Sequence, residues 1–416
     1  MKLIMAILTA LSVLLGALPF IRPRSRSGQA LMWVPKLLGG ALSPIAGLTG
    51  ALAALIGVAR RDYKLAGAGL LGAGLAVRLA VEMPDVDQEL AGLPAPDREG
   101  PARASRPPLP ARLLGQAEFE RDIVVGHNPQ SGQALRADLW PPSDHVPSGL
   151  GLVYAHGSGW RVGGKDMLTR SFFRRLAAQG HLVLDVGYSL WPHADMPAMV
   201  NEMNQAILWL KENGPAYGVN PDRIVLMGGS AGGHLALLAA YTPGHPAFRP
   251  AGAVGDTSVR GVVAFYPPVD LLAMPDEAGL DLPSSPGLVD RIAQAMFKFV
   301  FLVREEPGHE KQFGDIIAEM LGGTVAEVPD TYRLLSPIYH IGAHCPPTLL
   351  LHGSDDVFGL TPGVRRLREC LRAAGVPSAL IEFPHTEHGF DLLLPRISLT
   401  ARAATRGVEQ FLAWLE

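Results

Sequence analysis

Gly228-Gly229-Ser230-Ala231-Gly232 sets one serine among glycines, after an apolar run, Arg223–Met227, and before a small-residue run, Leu235–Tyr241. In that context G-x-S-x-G reads as strand, sharp turn and helix, a turn that lifts a serine Oγ above the carboxyl edge of a parallel sheet. A Cβ at Gly228 or Gly232 would collide with the neighbouring turn. Serine is a feeble nucleophile at its free pKa and needs an adjacent base. The chemistry on offer is acyl transfer, and it requires partners elsewhere in the chain.

Those partners occur in a suitable order. Upstream, Leu152–Ala155 runs into His156-Gly157-Ser158-Gly159-Trp160, a small-residue loop able to aim backbone N–H groups at a developing oxyanion. Each such donor is worth roughly 2.7–4 kcal/mol. Downstream, Thr348–His352 leads into Gly353-Ser354-Asp355-Asp356, and Ala379–Pro384 into His385-Thr386-Glu387-His388-Gly389-Phe390. Serine, then aspartate, then histidine supplies a nucleophile, an orienting acid and a base. His385 rivals His388, but the place of His388 before Gly389-Phe390 favours it as the base. Neighbours on an extended segment point to opposite sides, so only one of Asp355 and Asp356 can serve. The H-G-x-x-D spacing from His352 selects Asp356.

From about Glu118 onward, the chain resembles α/β-hydrolase esterases of the hormone-sensitive-lipase and feruloyl-esterase-like type. The resemblance rests on His156–Trp160, Tyr188-Ser189-Leu190-Trp191-Pro192, Asn220–Ile224 leading into Gly228–His234, Ser336-Pro337, Pro346–Asp356 and His388-Gly389-Phe390. It implies ester hydrolysis through Ser230, His388 and Asp356, with no metal and no organic cofactor. The oxyanion donors it implies are the backbone amides of Ala231, Ser158 and Gly159. Trp160 is assigned to substrate binding, with plain packing as its alternative. Two departures stand out: Ser158 replaces a usual glycine, and Val357-Phe358-Gly359 follows the acid. Both bear on substrate preference. Of the remaining polar residues, His156 is expected to brace its loop and His352 to be a structural partner. Asp355 should cap or face solvent, Glu387 should be solvated, and Asp270 should anchor a cap or bond a loop.

A chain of 416 residues suits one such domain plus an additional module. Residues 1–83 carry nine Lys/Arg against two Asp/Glu, a net of +7, which leaves −10 for the rest of the −3 total. An acidic catalytic part without basic clusters gives no reason to expect nucleic acid. Three apolar runs occupy the basic end: Leu3–Phe20, Leu37–Ala59 and Leu65–Val81, the last interrupted by Arg78. About 20 apolar residues span a bilayer core, so three membrane helices are expected in a 1–83 anchor. The first run also fits a cleavable signal peptide, and the other two a buried hairpin. Small residues recurring every four positions, Ala68-Gly72-Ala76 and Gly69-Ala73, would let helices approach closely in lipid. Basic residues are balanced between the two sides, which leaves orientation open. Cys345 and Cys370 show no metal-like spacing.

Pro84–Gly115 holds seven prolines and reads as an extended linker (residues 84–115). Residues 116–416 then alternate short apolar strands with amphipathic segments. The pattern predicts an eight-stranded, doubly wound, mostly parallel sheet. Between Tyr266 and Pro346 about 80 residues stand where a short crossover would suffice, with an apolar helix over Leu288–Val303. By position this insertion, about 271–335, reads as a cap, and so long an insertion is usually functional. The leading expectation is a membrane-anchored serine hydrolase acting on small, lipophilic carboxylic esters. Amidase, arylformamidase or prenylcysteine-methylesterase chemistry is the alternative within enzymes. A hydrolase fold that only binds is the alternative outside them.

Overall fold

The computed structural model of the chain describes residues 2–94, 119–143, 146–249, 255–274, 287–300 and 313–416. Eight strands form one sheet: β1 (Glu120–His127), β2 (Ala134–Trp140), β3 (Gly151–Ala155), β4 (Leu182–Gly187), β5 (Ile224–Gly229), β6 (Gly261–Phe265), β7 (Thr348–Gly353) and β8 (Ser378–Phe383). Their order is β1-β2-β4-β3-β5-β6-β7-β8, with β2 antiparallel to both of its neighbours and every other pairing parallel. Strands β3, β5, β6 and β7 are buried along their whole length, because helices cover both faces. The eight expected strands all appear, within one or two residues at their ends.

The basic end folds as three helices, α1 (Lys2–Ala17), α2 (Arg26–Ala59) and α3 (Tyr63–Val81). Ser25 caps α2 by accepting from the Gly28 amide, and Asp62 caps α3 by accepting from Leu65. Three helices here are long and apolar enough to cross a membrane. Their burial is reversed relative to a water-soluble bundle: Leu48, Leu52, Leu55, Leu70 and Leu71 are exposed, whereas Gly50, Gly57, Gly69, Gly72 and Ala76 are buried. Small residues at the seam let backbones meet, which is how helices gain contact where lipid removes the hydrophobic drive. The first run is built into this bundle, with Ser12 Oγ donating to the Ala46 carbonyl at 2.6 Å.

Part of the expected linker is folded. A short helix, α4 (Val86–Ala91), buries Val86 against the catalytic core, and Asp87 accepts from Arg406 and Gln410. Trp414 Nε1 donates to the Pro94 carbonyl at 3.1 Å. Residues 95–115 of the linker lie outside the described residues. Five further helices cover the sheet up to the insertion and within it: α5 (Arg170–Ala177), α6 (Met196–Asn213), α7 (Ala231–Tyr241), α8 (Leu288–Val300) and α9 (Phe313–Leu321). The chain ends with α10 (Pro329–Leu334), α11 (Thr361–Ala373) and α12 (Leu399–Leu415). Helix α8, inside the insertion, packs on α2, where Ser27 Oγ donates to the Asp290 carboxylate. The aromatic cluster expected from Phe297 to Leu302 lies outside the described side chains. Cys345 is buried and Cys370 exposed, both as free thiols.

A Cβ at Gly69 would sit 2.5 Å from the Ala54 amide nitrogen and 2.6 Å from the Gly50 oxygen, whereas one at Gly74 meets nothing within 4 Å. Gly69→Leu should therefore cost about 1–3 kcal/mol or more through overpacking. Gly74→Leu should be close to neutral. Thermal unfolding of both variants in detergent checks the pair.

Candidate active site

Ser230 occupies the step between β5 and α7 with φ 53° and ψ −121°, a strained conformation for a residue with a side chain. Such strain costs of order 1–3 kcal/mol and persists only where the surroundings impose it. They do so here. A Cβ at Gly228 would lie 2.4 Å from Gly232, and one at Gly232 would lie 2.0 Å from the Ala155 carbonyl oxygen. The Ser230 amide donates to the Phe265 carbonyl at 2.8 Å, tying the turn to β6.

The hydroxyl so raised meets the expected partners. Ser230 Oγ is 2.8 Å from His388 Nε2, and His388 Nδ1 is 2.8 Å from Asp356 Oδ2. With Nδ1–H donated to the carboxylate, Nε2 is free to accept the serine proton. Asp356 is fully enclosed. Burial works against its charge, but His388, His352 and the Phe358 amide outweigh it and hold the carboxyl below the usual range. His352 Nε2 is 3.4 Å from Asp356 Oδ2, and burial pushes that imidazole down to about 4, so it stays neutral. The arrangement can pass a proton from a hydroxyl to an imidazole that is oriented by a carboxylate.

The loop after β3 passes directly over the serine, since a Cβ at Gly157 would lie 3.3 Å from Ser230 Cβ. Ser158, Gly159 and Trp160 take three successive positive φ values, 90°, 61° and 60°. That run folds the loop back on itself around Ser158 and Gly159. Ala231 holds the first position of α7, where a helix leaves its amide without an intrahelical partner. Tyr188 stacks on His156 at 4.5 Å between ring centroids and donates to its carbonyl, fixing the base of the loop.

Several expectations need correction. Trp160 does not line the cavity. It is 2% exposed, and its Nε1 donates to His234 Nδ1 at 3.3 Å. His234 Nε2 in turn donates to the Leu335 carbonyl at 2.7 Å, and burial pushes this imidazole down to about 4. Trp160 is thus a fixed strut behind the loop. Asp355 and Glu387 are not turned to solvent. Both reach the ammonium of Lys36 on α2 at 2.8 Å, and the Lys36 and Glu387 side chains are 3% and 2% exposed. Burial raises Glu387 to about 7 despite Lys36. Burial also opposes the charge on Asp355, but Lys36, Ser354 and Arg22 together hold that carboxyl low. His385, the rival base, is taken up elsewhere, with Nε2 at 2.7 Å from Glu82 and its ring 4.6 Å from Phe20.

A cavity of about 220 Å³ opens on Ser230 and His388, walled by Val162, Met167, Tyr266, Phe358, Leu392 and Trp33. Among the described residues none of the 271–335 insertion lines it. Trp33, on α2, stands where the cap was expected. Neither Trp33 nor Lys36 was singled out from the sequence. The one available signal was a tryptophan and a lysine one turn apart, just ahead of a charge-free span.

The BD-FAE family profile matches residues 138–359. The esterase LipC of Mycobacterium tuberculosis is 30% identical over 315 residues, covering 73% of this chain and 69% of that one. The probable carboxylic ester hydrolase LipM of the same organism is 30% identical over 318 residues, 76% of this chain. This chain spans 65% of the length of LipM and of esterase LipQ. The apo form of Thermogutta terrifontis esterase 2 shares the fold with a TM-score of 0.54 at 22% identity, over 72% of this chain and 94% of that one.

Ser158 holds φ 90° with a side chain present. Ser158→Gly should relieve that strain and stabilise the protein by about 1 kcal/mol. A rise in thermal midpoint is the expected result.

Proposed function

The chain belongs to the BD-FAE family, and on that footing we propose that it is a serine hydrolase of lipophilic carboxylic esters, held in a membrane by α1–α3. The observation that carries this reading is the continuous relay Ser230–His388–Asp356, with both links at 2.8 Å. Its setting beneath a sharply folded amide loop supports it further.

In this mechanism Ser230 Oγ attacks the ester carbonyl as His388 Nε2 takes its proton. Negative charge on the former carbonyl oxygen is met by the amides of Ala231, Ser158 and Gly159. The C–O bond to the alcohol breaks, and His388 returns the proton to the departing alkoxide. Water then attacks the acyl-serine as His388 takes its proton, the bond from the acyl carbon to Oγ breaks, and His388 returns that proton to Ser230 as the acid leaves. Asp356 orients the imidazole and stabilises its charged form throughout. Every step runs on side chains and backbone amides of this chain.

An apolar cavity supports a lipophilic substrate. Three helices of spanning length and composition support a membrane location for the whole chain.

The direct test is p-nitrophenyl ester hydrolysis across acyl lengths by the full chain in lipid nanodiscs. Ser230→Ala should lower kcat by a factor on the order of 10⁶. Asp356→Asn, which keeps the shape but misorients the imidazole, should lower it about 10⁴-fold. Thermogutta terrifontis esterase 2 is known phosphorylated by paraoxon. Paraoxon should likewise inactivate this enzyme stoichiometrically at Ser230. Equal hydrolysis by the wild type and Ser230→Ala would sink the reading.

A further inference from the structure

Two side chains of α2 reach the reaction centre from outside the sheet and its loops. Trp33 walls the cavity edge-on to Phe358, with ring centroids 5.5 Å apart, and its Nε1 donates to the His388 carbonyl oxygen at 2.8 Å. One turn further on, Lys36 bridges Asp355 and Glu387. Asp355 directly precedes Asp356, and Glu387 directly precedes His388. A single helix therefore holds the loop that presents the acid and the loop that presents the base. A buried lysine is costly unless paired, and here two carboxylates from two loops meet it.

Resting on the esterase reading, we propose that α2 is a working part of the active site. Trp33 shapes the ester pocket and positions His388, while Lys36 fixes the spacing between the acid and base loops. The geometry also specifies the substrate's location. Helix α2 has 34 residues, and Leu37–Ala59 is without charge. At 1.5 Å per residue that stretch is about 35 Å long, enough for a hydrocarbon core of about 30 Å. Trp33 and Lys36 stand within the last turn before it, at the depth where amphipathic side chains meet the headgroups. The pocket mouth therefore lies at the lipid interface. It receives an ester whose apolar part stays partitioned in the bilayer.

The test uses the full chain in nanodiscs, with esters from C2 to C12 and thermal unfolding to confirm folding. Trp33→Phe keeps an aromatic wall but loses the donor to His388. One hydrogen bond of this kind predicts a fall in kcat of about 3- to 10-fold with KM and chain-length preference unchanged. Trp33→Ala should also raise KM and shift the preferred acyl length. Lys36→Met should lower kcat at least about 10-fold, since it strands a buried carboxylate pair, with part restored by Lys36→Arg. Folded Trp33→Ala and Lys36→Met proteins with wild-type kcat, KM and chain-length profile would overturn the proposal and leave the esterase reading standing. A wild type that neither hydrolyses esters nor reacts with paraoxon would overturn both.

Discussion

The end of β3 and the start of α7 approach so closely that only hydrogen fits between Gly232 and the Ala155 carbonyl, where a Cβ would lie 2.0 Å away. Much of the site follows from that approach. It presses the turn after β5 against the turn after β3, which leaves Ser230 with a strained backbone and an outward hydroxyl. The same approach lays the loop after β3 over the serine, where a Cβ at Gly157 would lie 3.3 Å from Ser230 Cβ. The strain, of order 1–3 kcal/mol, is sustained by the fully buried strands on either side. A rigid sheet holds the Ser230 hydroxyl, and loops bring His388 and Asp356 to it.

The second layer of support is less usual for a sheet protein, because it comes from the chain's basic end. The loops carrying Asp356 and His388 are gripped by Lys36, and Arg22 adds a charge to Asp355. His385 is held by Glu82 and Phe20. The helices that could anchor the protein thus also serve as the frame for the loops that carry Asp356 and His388. The insertion between β6 and β7 lies against this frame through α8, whereas Trp33 reaches the cavity itself.

The strands, the serine turn and the order of Ser230, Asp356 and His388 were legible because each leaves a local signature. Apolar runs mark buried strands, Gly228 and Gly232 mark the tight turn, and Gly389-Phe390 flags His388. What sequence could not reveal is pairing across distance. Glu387 looks like any charged loop residue, and its partner Lys36 sits 351 positions earlier, just ahead of a run that reads simply as a membrane helix. Trp160 misled for a related reason. Its neighbours line the pocket, but a positive φ at Trp160 and a bond to His234 turn its ring inward. The seam of small residues in α3 was visible, because a four-residue repeat is itself a packing code. The helix α4 was not visible because its short apolar face lies inside a stretch, residues 84–115, whose seven prolines read as extended chain.

The contact between Trp33 and the carbonyl of His388 spans 355 positions of chain. Synthesis proceeds at about 5–20 residues per second, so roughly 20–70 s separate the appearance of the two residues at the ribosome. For most of that interval α1–α3 can already be formed while Lys36 has neither carboxylate to meet, since Asp355 and Glu387 come 319 and 351 positions after it. A lone ammonium at that depth bends its stem toward water. The relay closes only once His388 has been made, 32 positions after Asp356. A nascent chain halted before Glu387 can therefore hold its helices in place, but it carries Lys36 without its second carboxylate and Trp33 without its acceptor.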